Sequence, residues 1–402
     1  MAEDNLKVTK KKSLDLLTEE NIKAALRNDK GESAELVAWE AKDFTKPGDN
    51  YAGVVTSAIV KYRQNGEETQ VTYIVKLNPM RGVEMFECFT HNQFIREGHY
   101  FTVFLPEMNE LLIRFNEPPL RLAKGFFANM KSTQECLIME DLRARGFKMF
   151  DRKKGVDRAH GMLVLNELGR VHAASLLKEK YIGSDSFEKY GVLEDEWDLM
   201  KSDPKMSEMA QQMYAGSLNG SIKLLEKISG YENTVEWLKE IQPKILDLVL
   251  DLFKPSEKFG VMIHGDCWNN NILFRYDSSN NPVEVMLVDF QQIKKASPAI
   301  DLNYFLYSSF MGPERTSNLD DFLKKYYTSF STTLRAGQMD VPFTHDELCQ
   351  EVKDKLLFGL VMAMFLIPVV LAESDDILDV DSLTPEKMEE FMKEREETML
   401  KM

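Results

Sequence analysis

Residues 264–274 read His-Gly-Asp-Cys-Trp-Asn-Asn-Asn-Ile-Leu-Phe, and residues 288–291 read Val-Asp-Phe-Gln. The first stretch fits the pattern H-x-D-x-x-x-x-N, which ends at Asn271, and Asp289 follows eighteen residues later. Two apolar runs of strand length lie between Asn271 and Asp289, separated by a segment rich in turn-forming residues. The pattern predicts a β-hairpin with a polar loop at one end and an aspartate at the other.

Three polar side chains flanking this hairpin suit the transfer of a phosphoryl group. Such a transfer needs positioned Mg²⁺ ions and a group that orients the acceptor hydroxyl, but little covalent chemistry from the protein. Asp266 can orient that hydroxyl, and the side-chain oxygens of Asn271 and Asp289 are of the type that Mg²⁺ binds. We therefore expect Asp266 to be the catalytic base and Asn271 and Asp289 to be metal ligands.

The composition is that of an ordinary globular protein. The 402 residues are 44% hydrophobic and 29% charged, which is enough for two lobes with cores of their own. Four cysteines are scattered without a C-x-x-C pair, which indicates reduced thiols and neither a disulfide framework nor a zinc site. The net charge of −15 argues against nucleic acid and anionic membranes as partners. No protein partner is evident.

No targeting segment or membrane span is expected. The N-terminus is polar and acidic, unlike a secretory signal. Residues 356–372 carry no charge, but this run is shorter than the roughly 20 residues of a membrane span and contains Gly359 and Pro368. We expect a buried core helix here and a cytoplasmic protein.

The chain changes character along its length. One helix beginning near Thr18 precedes a region of β-type runs, and the pattern after residue 140 is mainly helical. This order predicts an α+β, two-lobed protein-kinase-like fold with a small antiparallel-sheet N-lobe and a large, mainly helical C-lobe. The predicted boundaries are 1–33 for an N-terminal helix and linker, 34–139 for the N-lobe and 140–402 for the C-lobe, with the catalytic loop at 263–271 and the metal-binding segment at 288–291.

The smaller lobe offers candidates for binding nucleotide phosphates. Lys76 lies in an otherwise apolar strand-like run, where a buried lysine is costly unless it is paired. Glu97 on a predicted helix is its best partner, with Glu87 as the fallback; the alternatives are an edge lysine and a surface glutamate. No G-x-G-x-x-G is present, but the segment 48–53 contains Asn50 and two glycines and could face phosphate with its N–H groups.

Five motifs together resemble the ecdysteroid-kinase-like family, within the aminoglycoside phosphotransferase and choline kinase group of the kinase fold. They are Phe94-x-x-Glu97, Glu-Asp-Leu at 140–142, and the segments 168–175, 264–271 and 288–302. The resemblance covers residues 34–372. It implies ATP- and Mg²⁺-dependent phosphorylation of a hydroxyl on a small molecule, such as an ecdysteroid, a related metabolite or a xenobiotic.

The resemblance also implies roles for particular residues. Lys76 would bind the nucleotide phosphates, and Glu97 would be its ion-pair partner. The backbone around Met139, Glu140 and Leu142 would hold the adenine ring.

Three departures from protein kinases favour a small-molecule acceptor. Gly265 stands where protein kinases have arginine, and Gln291 stands where they have the glycine of D-F-G. Only eleven residues separate Asp289 from Asp301, too few for an activation segment.

Two other functions remain open. The chain could be an inactive kinase fold that binds a hydrophobic ligand, although that role would not require the complete set of catalytic residues. A choline- or aminoglycoside-type kinase is a weaker alternative.

Several nearby residues have simpler structural interpretations. We expect Asp301 to be the N-cap of a helix that starts at Leu302. His172 is expected to pack or to form hydrogen bonds, and His264 to orient the loop. The sequence does not decide whether Trp268 contacts substrate or anchors the loop.

Overall fold

The computed structural model describes residues 12–43, 53–80, 84–183, 203–254, 256 and 258–371. The described chain divides into two compact units. The first, which we call the sheet unit, contains the residues up to Lys148, residues 177–183 and Leu273–Ile293. The second, the helical unit, contains Met149–Leu176, residues 203–272 and residues 294–371. The lobe boundaries drawn from the sequence stay a prediction.

The described residues form helices and strands with the following bounds. The helices are α1 (Glu19–Lys30), α2 (Glu84–His99), α3 (Leu105–Arg114), α4 (Arg158–Tyr181), α5 (Pro204–Leu225), α6 (Glu232–Ile241), α7 (Ile245–Leu252), α8 (Pro298–Ser309), α9 (Gly312–Ala336), α10 (His345–Asp354) and α11 (Leu356–Leu371). The strands are β1 (Glu35–Asp43), β2 (Val54–Gln64), β3 (Glu67–Leu77), β4 (Gly125–Asn129), β5 (Cys136–Glu140), β6 (Lys148–Met149), β7 (Val261–Ile263), β8 (Ile272–Tyr276), β9 (Pro282–Leu287) and β10 (Lys294–Ala296).

The sheet unit is built on a five-stranded antiparallel sheet with the order β1-β2-β3-β5-β4. A tight turn at Asn65 and Gly66, both with positive φ, joins β2 to β3 and matches the twist of paired strands. Helix α1 begins where the sequence predicts, because the Thr18 side chain accepts the Asn21 N–H. Ile22 and Leu26 of α1 are buried in one core with residues of β2 and β3.

A π-helical segment, Tyr100–Phe104, continues α2 directly into α3. Such segments are rare, and here the wider turn buries the rings of Tyr100, Phe101 and Phe104. Strand β4 passes so close that a Cβ at Gly125 would lie 2.5 Å from the Phe101 Cβ. Glycine at this position lets the π-helical segment pack against the sheet.

The predicted hairpin is present as β8 and β9, which form a small sheet with the order β6-β8-β9. Its turn is closed by Asp277, whose carboxylate accepts the N–H groups of Ser279 at 2.8 Å and Asn281 at 2.9 Å. Strand β8 begins directly after Asn271, and β9 ends two residues before Asp289.

The helical unit is organised around α8, in which nearly every residue is buried. Helix α11 approaches it so closely that a Cβ at Gly359 would lie 2.9 Å from the Asn303 carbonyl oxygen. The uncharged run at 356–371 is therefore helix α11, in contact with α8. None of the described helices combines the length and the apolar character needed to cross a membrane.

The predicted α+β class is confirmed, with an antiparallel sheet in the N-terminal region and a mainly helical remainder. All four cysteines lie among the described residues, and none forms a disulfide.

Candidate active site

Lys76 is the centre of a buried polar cluster in the sheet unit. It lies on β3, opposite Val55 and Leu137 of the neighbouring strands, and its side chain is 7% exposed. Its Nζ donates to Glu97 Oε2 at 2.7 Å, Asp289 Oδ1 at 2.9 Å and Gln291 Oε1 at 2.9 Å. An ammonium group has three N–H donors, so these acceptors use them all. We call Lys76, Glu97, Asp289 and Gln291 the lysine cluster.

Glu97 holds both Lys76 and the backbone of residues 288–291. Its second oxygen, Oε1, accepts the Phe290 N–H at 3.2 Å. The Phe290 ring stacks on Tyr100 with 4.0 Å between ring centres and meets Phe101 edge-on at 5.8 Å. The π-helical segment that follows Glu97 therefore fixes the backbone from which Asp289 and Gln291 project.

Burial and charge act in opposite directions in this cluster. Burial raises the pKa of Glu97 to about 7, although Lys76 at 2.7 Å partly offsets the effect. For Lys76, burial lowers the pKa, but the carboxylates of Asp289 and Glu97 outweigh it, and the net shift is upward. Lys76 thus stays a cation at neutral pH.

The structure brings together three residues that the sequence singled out, namely Lys76, Glu97 and Asp289. The fallback partner Glu87 instead accepts a hydrogen bond from Asn78 at 3.2 Å. Sequence reasoning noted that Gln291 replaces a glycine but missed its contact with Lys76. The available signal was its position two residues after Asp289, which places both side chains near the same end of β9.

The residues predicted to hold adenine lie at and just after the end of β5. Glu140 N–H donates to the Lys124 carbonyl at 2.8 Å, and its carboxylate pairs with Arg145 at 3.2 Å. Met139 is half-buried, and the buried Leu142 opens a 3-10 turn. Their role in adenine binding stays a prediction. Asn50 and the rest of the segment 48–52 lie outside the described residues.

Asp266 lies in a second polar group, in the helical unit. Its Oδ1 accepts the Tyr304 hydroxyl at 2.5 Å, and its Oδ2 accepts the Asn271 amide at 2.8 Å. Gly265, with φ 81°, supplies the left-handed backbone needed for the turn into Asp266. We call residues 264–271 the aspartate loop.

The backbone of the aspartate loop is anchored by Asp301, which is fully buried. Its carboxylate accepts the N–H groups of His264 at 2.6 Å and Gly265 at 2.9 Å. His172 contacts it at 3.1 Å through Nε2 and contacts the Tyr326 hydroxyl at 2.8 Å through Nδ1. Burial raises the pKa of Asp301, but the contact with His172 and the loop N–H groups outweigh burial, so the pKa is lowered.

The prediction that Asp301 is an N-cap is wrong. Helix α8 begins at Pro298, and its N-cap is Ser297, whose side chain accepts the Ala299 N–H at 3.2 Å. Serine followed by proline at the first helical position is a strong start signal, and Asp301 therefore falls inside the first turns. There its carboxylate is free to bind the loop backbone.

Tyr304 is a partner of Asp266 that sequence reasoning missed. It lies three residues after Asp301, and residues at this spacing share a helix face. Burial, followed by the nearby Asp266 carboxylate, raises the pKa of Tyr304 well above its ordinary value. The hydroxyl therefore stays protonated and donates to Asp266. His172 and His264 have the hydrogen-bonding roles expected of them, since His264 Nδ1 accepts the Asp266 N–H at 3.3 Å.

Asn271 and Asp289 each have a side-chain oxygen of the kind that Mg²⁺ binds. The Asn271 amide nitrogen is used by Asp266, and its oxygen accepts no hydrogen bond from the described residues. Asp289 uses Oδ1 for Lys76, and within the same part of the chain its Oδ2 accepts none. No group of three or more His, Cys, Asp or Glu side chains among the described residues could hold a metal by itself. Mg²⁺ sites in nucleotide-binding enzymes commonly have only one or two protein carboxylates.

These two groups define a class: kinase-fold phosphotransferases that combine a buried lysine–glutamate pair with an H-x-D-x-x-x-x-N loop. A family model described as the ecdysteroid kinase-like family matches residues 47–339. The chain belongs to this family, as its motifs indicated.

The solved structures similar to this chain include several small-molecule kinases. An ethanolamine kinase from Plasmodium vivax has a TM-score of 0.40 and 11% identity, covering 96% of this chain and 85% of its own. A choline kinase from Streptococcus pneumoniae has a TM-score of 0.34 and 12% identity, and the match covers 88% of this chain and 98% of that kinase. A glucosamine kinase in complex with glucosamine, ADP and inorganic phosphate has a TM-score of 0.34 and 12% identity, covering 96% and 99%. A search of curated protein sequences finds no significant match.

Proposed function

We propose that the protein is an ATP-dependent kinase that phosphorylates a hydroxyl of an ecdysteroid-like steroid or of a related small metabolite or xenobiotic. The observation that carries the proposal is the lysine cluster. A buried lysine satisfied by two carboxylates and an amide is costly to assemble, and replacing it with apolar residues would often stabilise a fold. Its presence in a member of this family favours a catalytic role.

Each residue has a role in this proposal. Lys76 neutralises nucleotide phosphates, and Glu97 keeps its ammonium group in place. Asp266 accepts the hydrogen bond of the acceptor hydroxyl and orients its oxygen for attack on the phosphorus. Asp289 and Asn271 would bind Mg²⁺, which when present neutralises the charge that develops on the phosphates.

The proposal is tested by measuring ATP consumption with a panel of acceptors. The panel contains ecdysone, 20-hydroxyecdysone, a plant steroid glycoside, choline and kanamycin. We expect a hydroxylated steroid to stimulate turnover in the presence of Mg²⁺ and an Asp266→Ala variant to lose the stimulation. If no acceptor stimulates turnover, and the ligands bind the wild type and Asp266→Ala equally well, the protein is a binding protein and the proposal fails.

A further inference from the structure

We infer that Tyr304 is a positioning residue that fixes the Asp266 carboxylate for phosphoryl transfer. The inference starts from the contact itself. The distance from the Tyr304 hydroxyl to Asp266 Oδ1 is 2.5 Å, at the short end of the range for a hydroxyl donating to a carboxylate. Tyr304 is 3% exposed, so water does not compete effectively for this hydrogen bond.

The second step concerns the orientation of the carboxylate. Tyr304 holds Oδ1 while the Asn271 amide holds Oδ2 at 2.8 Å, and the same amide nitrogen donates to the Asp266 carbonyl at 2.9 Å. A carboxylate held at both oxygens cannot rotate about its terminal torsion.

The third step concerns the rigidity of the helix that carries the tyrosine. One turn before Tyr304, Asp301 binds the loop backbone, so α8 holds the aspartate loop by its main chain and by its catalytic side chain. The Asn303 amide donates to the Val352 carbonyl at 2.9 Å, and Gly359 allows the close approach of α11. A donor on a packed helix is placed more precisely than one on a loop.

Loss of this hydroxyl should affect the chemical step and leave binding intact. Without it, the carboxylate keeps the Asn271 contact but is less restrained in rotating about its Cβ–Cγ bond. Small errors in the position of a catalytic group commonly cost on the order of 10²-fold in rate. Nucleotide affinity depends on Lys76, in the other unit, and should not change.

The inference rests on the proposed function, so the experiment separates the two. Tyr304→Phe is compared with the wild type and with Tyr307→Phe, which removes a hydroxyl from the same helix. Steady-state rates are measured with radiolabelled ATP over a series of 20-hydroxyecdysone concentrations, or with water as acceptor over a series of ATP concentrations if no steroid is used. Binding of a fluorescent ATP analogue and the thermal midpoint are measured for each variant.

We expect Tyr304→Phe to lower kcat by 10- to 100-fold with unchanged KM and nucleotide affinity, while Tyr307→Phe keeps wild-type values. In an Asp266→Asn background, Tyr304→Phe should cause no further loss, because the group it positions is already gone. Wild-type rates in Tyr304→Phe, or an equal loss in both backgrounds, would overturn the inference and leave the proposed function intact. No turnover by the wild type with any acceptor or with water would overturn both.

Discussion

The lysine cluster and the aspartate loop are built in opposite ways. In the lysine cluster, charged side chains satisfy one another: Lys76 has three acceptors within 2.9 Å, two of them carboxylates. At the aspartate loop, Asp266 and Asp301 are held mostly by neutral donors, namely a phenol, an amide and two backbone N–H groups, and His172 is a further contact of Asp301. One region depends on charge balance, and the other depends on hydrogen-bond geometry.

This difference suits the two roles proposed for these regions. A lysine that binds phosphates must stay charged while buried, and only opposite charges achieve that. The proposed catalytic base, Asp266, is oriented by the Tyr304 hydroxyl and the Asn271 amide, which add no charge beside it. The comparison therefore predicts that substitutions which remove a charge reduce turnover or stability most in the lysine cluster. Substitutions which remove a hydrogen bond should have their main effect at the aspartate loop.

The largest effect should come from removing the charge of Asp289. Asp289→Asn keeps the side-chain shape and leaves Lys76 paired with Glu97, so the fold should persist. Metal-dependent turnover should fall by about three orders of magnitude, because charge stabilisation in the transition state is lost. ATP turnover is measured across a Mg²⁺ series, together with the circular dichroism spectrum. Unchanged turnover in a folded variant would show that Asp289 is not a metal ligand.

The next largest effect should be on stability, at Glu97. Glu97→Ala removes a carboxylate that is 1% exposed and leaves a buried lysine with one charged partner. Because removing Glu97 leaves the buried ammonium group of Lys76 with only part of its compensating charge, we expect a loss of about 3 kcal/mol in the free energy of unfolding. Urea denaturation measures it, with the exposed Glu110→Ala on α3 as the control. If Glu97→Ala and Glu110→Ala lose the same free energy of unfolding, charge balance does not hold the lysine cluster together.

The sequence predicted the lysine cluster better than the supports of the aspartate loop, for a physical reason. A charged side chain is unexpected at a buried position, so Lys76 in an apolar strand stands out in the sequence. Burying it requires a partner of opposite charge, which Glu97 on the next helix supplies. Asp301 and Tyr304 are not anomalous on a helix. Their contacts with Gly265 and Asp266 span 36 and 38 residues and depend on how α8 packs.

The same distinction between local patterns and long-range packing explains which parts of the fold could be predicted. Strands, hairpin turns and the Thr18 cap follow from local patterns and could be predicted. The π-helical turn at Tyr100–Phe104 could not be predicted, because it depends on packing against Phe290 and Gly125. Gln291 was visible as a departure from glycine, but its hydrogen bond to Lys76 joins residues 215 positions apart in the sequence and depends on how the sheet unit packs.

A smaller effect should come from Asp301, where geometry and charge both contribute. Asp301→Asn places an amide where a carboxylate accepts two backbone N–H groups, so we expect a loss of about 2 kcal/mol near neutral pH. The folded pKa of Asp301 is lowered, so its stabilisation is fully present above the unfolded pKa of about 3.9 and is lost as the pH falls through the folded value. The difference between wild type and variant should therefore shrink below about pH 4.

Urea denaturation from pH 3 to pH 7 checks this, with the exposed Asp340→Asn as the control. A wild-type advantage that stays constant down to pH 3 would show that the ionised form of Asp301 is not what holds the loop.

The smallest effect should come from the β8–β9 turn, the covalent link in the chain between Asn271 and Asp289. Asn280 has φ 62°, a conformation that asparagine and glycine adopt more readily than alanine. Asn280→Ala should lower the free energy of unfolding by about 1 kcal/mol, and Asn280→Gly should be nearly neutral. Neither should change turnover if the lysine cluster and the aspartate loop are each held by their own contacts. A loss of turnover in Asn280→Ala that exceeds its loss of stability would instead mean that the hairpin itself sets the positions of Asn271 and Asp289.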